Sequence, residues 1–176
     1  EQMEDARRVK GLVRRDVVRI ITPGTVVEED LLPERSQNLM AAIVTGHAFP
    51  VFGLAIVDLS TGEFAATEGE GESLLAQELQ RIRPSEVVLP ARLALDQDLT
   101  GWLQAAAGEG QGPVRLSPVP DAEATPEAAS SRLMAHFRVA SLEACGAEGH
   151  PLATAAAGVA LFYLQDNQIS DLAHLR

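Results

Sequence analysis

The sequence predicts an α/β domain, a mixed sheet of about five strands flanked by helices. Three observations carry this: a β-hairpin pattern over residues 51–67, a strand-helix-strand succession over 63–89, and an Ala-rich apolar helix over 151–165.

The elements follow in chain order. Residues 16–22 (Asp-Val-Val-Arg-Ile-Ile-Thr) are β-branched and apolar and stop at Pro23-Gly24, which predicts a buried strand. Glu28-Glu29-Asp30 before Leu31-Leu32-Pro33 allows at most a short helical turn, and 38–44 is a second strand, with 46–50 as a turn. Residues 51–59 are almost continuously apolar, Ser60-Thr61-Gly62 supplies turn chemistry, and 63–67 returns as the second arm of a hairpin. Leu74, Leu75, Leu79 and Ile82 recur at helical spacing over 73–82, with Ser73 as N-cap and Pro84 past the end. A short strand at 86–89 closes one crossover unit, the kind that builds mixed or parallel sheets. Residues 98–107 form a helix with Trp102 on its apolar side, 108–113 a Gly-rich loop, 114–116 a brief strand, and 117–125 an irregular loop with Pro118 and Pro120. Thr125 caps a helix with Pro126 in its first position, running to about His136. A helical patch surrounds 141–145, and the last helix, 151–165, is buried through small-residue packing.

Composition bounds the function. The 176 residues, 46% hydrophobic and 22% charged, suit one soluble globular domain that needs no disulfide or metal to fold. Cys145 stands alone and reads as a small buried apolar residue of a protein in a reducing cytoplasm. No apolar run reaches membrane-spanning length and no basic-then-apolar leader opens the chain. The first residue is Glu1, so a fragment of a longer protein is expected. The first 19 residues carry net +2, with Arg7, Arg8, Arg14 and Arg15 as candidates to lie near DNA, while the remainder carries −13 and would repel phosphate. A protein partner or a structural role fits that balance, and little or no DNA binding is expected of the chain itself.

Candidates for chemistry are few. Asp58, near the end of a central strand, would help hold a divalent metal if Glu63, Glu86, Asp96 or Asp98 converged on it, which defines the alternative of a residual metal-dependent nuclease. At a strand-to-turn junction the same carboxylate more commonly accepts backbone N–H bonds. Gly-Glu-Gly-Gln-Gly at 108–112 is followed by no Lys-Ser or Lys-Thr and reads as a connection, not a phosphate loop. His47, His136, His150 and His174 occur singly, no serine sits in a nucleophile elbow, and Cys145 has no evident base. No catalytic residue and no metal site is therefore expected. The outer side of the 125–136 helix, with Glu127, Ser130, Ser131 and Arg132, is the candidate protein-docking surface.

Arg15-Asp16-Val17-Val18-Arg19-Ile20-Ile21-Thr22-Pro23-Gly24-Thr25, then Leu31-Leu32, Asn38-Leu39-Met40-Ala41-Ala42-Ile43 and Phe52 to Phe64 form an ordered set. Glu78-Leu79-Gln80-Arg81, Arg83-Pro84-Ser85-Glu86, Tyr163-Leu164-Gln165 and His174-Leu175-Arg176 extend it. This order resembles the MutS family of DNA mismatch-repair proteins, at the exit of its mismatch-recognition domain and through its connector domain. The resemblance implies a tail from the preceding domain over 1–14, the connector over 15–167, and the start of the link to the lever and core over 168–176. It implies a ribonuclease H-like fold without nuclease activity, a link between mismatch recognition and the ATPase core, and a surface for a MutL-type partner near Ser130, Ser131 and Arg132. The mismatch wedge would lie upstream and the ATP site downstream, so ATP and magnesium, like mismatched DNA, belong to the parent protein and no cofactor to this chain. A cytoplasmic, nucleoid-associated setting and the absence of a membrane partner follow from the same likeness.

Overall fold

A computed structural model describes residues 39–46, 49–110, 112–147, 149–167, 172 and 175. The expected strand at 16–22, the turn near 31, the basic positions Arg7, Arg8, Arg14 and Arg15, and His47 and His174 lie outside the described residues.

Five strands form one sheet: β1 (Leu39–Thr45), β2 (Val51–Asp58), β3 (Glu63–Glu70), β4 (Glu86–Pro90) and β5 (Arg115–Val119), in the order β3-β2-β1-β4-β5. β1, β2 and β3 are an antiparallel meander, and β4 and β5 join β1 in parallel. The helices are α1 (Glu72–Ile82), α2 (Ala91–Ala94), α3 (Gln97–Gly108), α4 (Pro126–Phe137) and α5 (Pro151–Asp166), with 3-10 turns at Asp121–Ala124 and Glu143–Cys145.

Strand side chains alternate between faces, and in β1, β2 and β4 both faces are covered. Met40, Ala42, Val44, Ala55 and Val57 point to the side of α4 and α5. Ala41, Ile43, Phe52 and Leu54 point to the side of α1 and α3. The continuous apolar runs of β1 and β2 follow from this double burial. Two glycines set how closely α5 approaches. A Cβ on Gly53 would sit 2.0 Å from the Leu152 carbonyl oxygen, and one on Gly158 would sit 2.3 Å from the Cβ of Ala129. Backbone contact at these two points presses α5 onto β2 and α4 onto α5.

Several boundaries differ from expectation, each for a local reason. β3 runs to Glu70 instead of ending at 67, because Val51 to Asp58 offers it a full eight-residue ladder. α1 starts at Glu72 with Gly71 in the capping position and no side-chain cap, so Ser73 lies inside the helix. α3 is capped by Asp96, whose side chain accepts from the backbone N–H groups of Asp98 and Leu99. β5 extends through Ser117 and Pro118, expected to be irregular. As the edge strand it tolerates a proline, and Ser117 is held by a buried partner described below. α2 adds an element that the sequence pattern does not signal: four residues after Pro90 fold as one turn. Cys145 is exposed, not buried. It ends a 3-10 turn and opens toward a groove beside β3.

Candidate docking face and buried carboxylates

α4 begins as its sequence dictates. The Thr125 hydroxyl accepts from the Ala128 N–H at 3.2 Å and Pro126 occupies the first turn, where no N–H is required. Ala129 and Leu133 are buried against α5, while Glu127, Ser131 and Ala135, spaced at four-residue intervals, form the outward stripe, with Ser130 half-buried beside it.

Arg132 does not belong to that stripe. Its side chain is only 16% exposed. One guanidinium nitrogen donates to the Gly158 carbonyl at 3.2 Å, the other is ion-paired with Glu123, and the group lies 5.0 Å from the centre of the Phe162 ring. It therefore fastens α4 to α5 and to the 3-10 turn Asp121–Ala124. Arginine's planar fork allows three such contacts from one residue that an isolated sequence position does not announce. The docking candidates thus separate into an outer set of Glu127, Ser130 and Ser131, and an inner brace, Arg132.

Asp58 closes the β2–β3 turn. Its Oδ1 accepts from the Ser60 N–H at 2.8 Å, the Ser60 hydroxyl at 2.6 Å and the Thr61 N–H at 3.3 Å. Burial by itself would raise this carboxyl, but the bonds from Ser60 and Thr61 outweigh it and hold it below the ordinary aspartate value. Of its proposed companions, Glu63 is its cross-strand partner, Asp96 caps α3 and Asp98 lies in the first turn of that helix. Among the described residues, no three His, Cys, Asp or Glu side chains are grouped as a metal ion would need.

Glu86, the fourth proposed companion, has a different role. It is fully buried at the start of β4, and its Oε1 accepts from the Ser117 hydroxyl and the Tyr163 hydroxyl at 2.5 Å each, with Arg115 Nε at 3.4 Å. Two hydroxyl donors and a nearby guanidinium satisfy a polar group that would otherwise be costly to bury. It joins β4, β5 and α5 at one end of the sheet. The sequence hides such a brace, since its members lie 31 and 77 residues apart.

Glu68 performs a comparable task from β3. Its Oε2 accepts from the Leu152 and Ala153 N–H groups at 3.0 and 3.2 Å, and its Oε1 meets His150 Nδ1 at 3.1 Å. A carboxylate from another element thus satisfies the open N-terminus of α5, which lacks a side-chain cap of its own. His136 packs edge-on against Phe137, and burial lowers its pKa, partly opposed by a backbone hydrogen bond with Leu172.

Comparison with known proteins places these features in context. The MutS domain II family description matches residues 38–176 and the MutS domain I description residues 1–30. The chain is 42% identical over 178 residues to the DNA mismatch repair protein MutS of Symbiobacterium thermophilum, covering 99% of this chain and 19% of that protein. It is 44% identical over 173 residues to the MutS of Synechococcus sp. strain JA-2-3B'a(2-13), covering 94% and 19%. The chain thus spans about a fifth of the length of these relatives. Among solved structures, the Holliday junction resolvase of fowlpox virus superposes with a TM-score of 0.50 at 11% identity, covering 73% of this chain and 98% of that one. That likeness is one of fold, a ribonuclease H-like arrangement of sheet and helices.

Proposed function

Because the chain belongs to the MutS family of DNA mismatch repair proteins, we propose that its described domain is a non-catalytic connector that docks a MutL-type partner on the outer stripe of α4. In this reading it links mismatch recognition to an ATPase core elsewhere in the parent protein. Mismatched DNA, ATP and magnesium are then handled by the parent, in a cytoplasmic, nucleoid-associated setting. Among the described residues, no helix is long and apolar enough to cross a membrane.

The observation that carries the proposal is the division of labour on α4. Arg132 braces the helix from beneath while Glu127 and Ser131 are exposed and Ser130 lies half-buried beside them. A surface held at several points loses little freedom on binding, which favours docking. A sheet whose central strands are covered on both faces also moves as one body when its neighbours shift, as a relay requires.

The test is calorimetric titration of the chain with the N-terminal ATPase region of a MutL-type protein. Ser131→Arg is expected to weaken binding about tenfold or more without changing the melting temperature, as a central interface substitution does. Arg132→Met is expected to lower the melting temperature, because it removes the brace. Unchanged affinity in a folded Ser131→Arg chain would place the docking face elsewhere.

The nuclease alternative built on Asp58 has weaker support. Oδ1 already accepts three bonds that shape its own turn, and Glu86, the most buried candidate companion, is engaged by Ser117 and Tyr163. Magnesium- or manganese-dependent cleavage of nucleic acid that Asp58→Asn abolishes would restore it.

A further inference from the structure

β3 is an eight-residue edge strand, and Ala65, Ala66 and Thr67 at its middle are all exposed. Successive strand residues point to opposite faces, so three exposed in a row leave both faces open at this edge. The neighbouring strand β2, by contrast, is buried along nearly its whole length.

The backbone is open as well. Gly71 N–H donates to the Pro50 carbonyl at 3.1 Å, which continues the pairing of Val51 with Glu70 by one step and sets the parity of the ladder. Residues 63, 65, 67 and 69 turn their backbone groups to β2, and Phe64, Ala66, Glu68 and Glu70 turn theirs away from the sheet. Among the described residues, no hydrogen bond reaches these outward groups. The opposite edge, β5, is interrupted by Pro118, which has no N–H. β3 has no proline or bulge, and its charged residues, Glu63, Glu68 and Glu70, guard the edge against another acidic strand but not against a basic one.

A groove flanks the strand on each face. On the α5 side, a groove of about 730 Å³ is walled by Phe64, Phe137, Leu142, Ala153 and Ala157. On the α1 side, a smaller one of about 280 Å³ is walled by Phe52, Ile56 and Leu74, the last 44% exposed. A strand laid along β3 would send one row of side chains to each side, an apolar row onto Phe52, Ile56 and Leu74 and the other row along the face that carries Glu68 and Glu70.

Charge identifies which ligand. Residues 63–72 contain Glu63, Glu68, Glu70 and Glu72 and no lysine or arginine. A second copy of this edge would set one row of glutamates against another, which like-charge pairing across strands disfavours. We propose that the outer edge of β3 receives an extended segment of a partner protein, in which apolar and basic residues alternate, by addition as a sixth strand. This surface lies on the groove side of the domain, and the proposal does not depend on the α4 stripe as a MutL-docking face.

The probe is a blocked nonapeptide of alternating Arg and Val, titrated into the full 15N-labelled chain. Two further peptides serve as comparisons, one with Glu in place of Arg and one N-methylated at every second residue. Shift changes are expected along β3 and the walls of both grooves, with slowed amide exchange at Phe64, Ala66, Glu68 and Glu70. The acidic and N-methylated peptides are expected to bind at least tenfold more weakly, as is the Arg/Val peptide to the Glu63→Lys, Glu70→Lys chain. Equal binding of the N-methylated peptide would reduce the effect to charge attraction and overturn strand addition, as would shifts mapping elsewhere. If those four amides are already protected in the full chain before any peptide is added, the edge is not open to a partner. Docking of a separate partner is then overturned.

Discussion

Replacing Gly158 by alanine tests the packing of α4 on α5 at its tightest point. The added Cβ would lie 2.3 Å from the Ala129 Cβ and 2.5 Å from its Cα, where ordinary contact begins near 3.4 Å, so the helices must part by about 1 Å. Overpacking of this order costs about 1–3 kcal/mol, and alanine's better helix propensity returns about 1 kcal/mol. The same movement stretches the 3.2 Å bond from Arg132 to the Gly158 carbonyl, a charge-assisted bond worth on the order of 1–2 kcal/mol. The net expectation is a loss of about 2 kcal/mol, or about 4–8 °C in melting temperature for a chain of this length. Chemical denaturation of Gly158→Ala, Ala129→Gly and the double variant would measure it. Removing the Ala129 methyl leaves the backbone of residue 129 in the way, so the double variant should recover only part of the loss, a coupling of about 0.5–1.5 kcal/mol. A Gly158→Ala chain as stable as the parent would refute the close-approach argument, and with it the view that Arg132 braces a tight helix pair.

Two further outcomes follow from the carboxylates and His136. Glu68→Ala should cost about 1 kcal/mol by leaving the Leu152 and Ala153 N–H groups without their cap, and exchange of those two amides should quicken before that of the rest of α5. Asp58 and His136 both have folded pKa values below their ordinary ones. Between the folded and unfolded values the unfolded state binds more protons, so stability falls as pH drops. The His136 contribution is present above 6.5 and lost below it, and the Asp58 contribution is present above 3.8 and lost below that. Denaturant midpoints measured against pH should lose the upper step in His136→Gln and the lower step in Asp58→Asn, and unchanged profiles would contradict the stated causes.

The hairpin, α1, β4 and α5 are legible in the sequence because each is written in local signals: Ser60-Thr61-Gly62 between apolar runs, leucines at helical spacing, Pro84 and Pro90 as stops. The Thr125-Pro126 start of α4 is legible for the same reason. What stays hidden is long-range pairing. Arg132 looks like any basic residue on a helix until α5 brings Gly158 and Phe162 beneath it. Glu68 looks like an ordinary strand charge, yet it caps a helix that starts more than eighty residues later. Ser117-Pro118 reads as loop because the pattern of a strand edge does not reveal that Glu86 waits for a hydroxyl. The exposed β3 edge is equally silent in the sequence, since exposure at consecutive positions depends on where the neighbouring helices stop.

The brace around Glu86 has a mechanical consequence. Leu39, where the described sheet begins, accepts from the Ser85 N–H at 2.8 Å through its carbonyl, and Met40 pairs with Glu86. The last turn of α5 reaches the same spot through Tyr163. The beginning of the sheet and the end of the last helix are thus tied together at one corner. Tension between the flanking segments would load β4 and the Tyr163–Glu86 bond, while the β2–β3 hairpin hangs outside the load path.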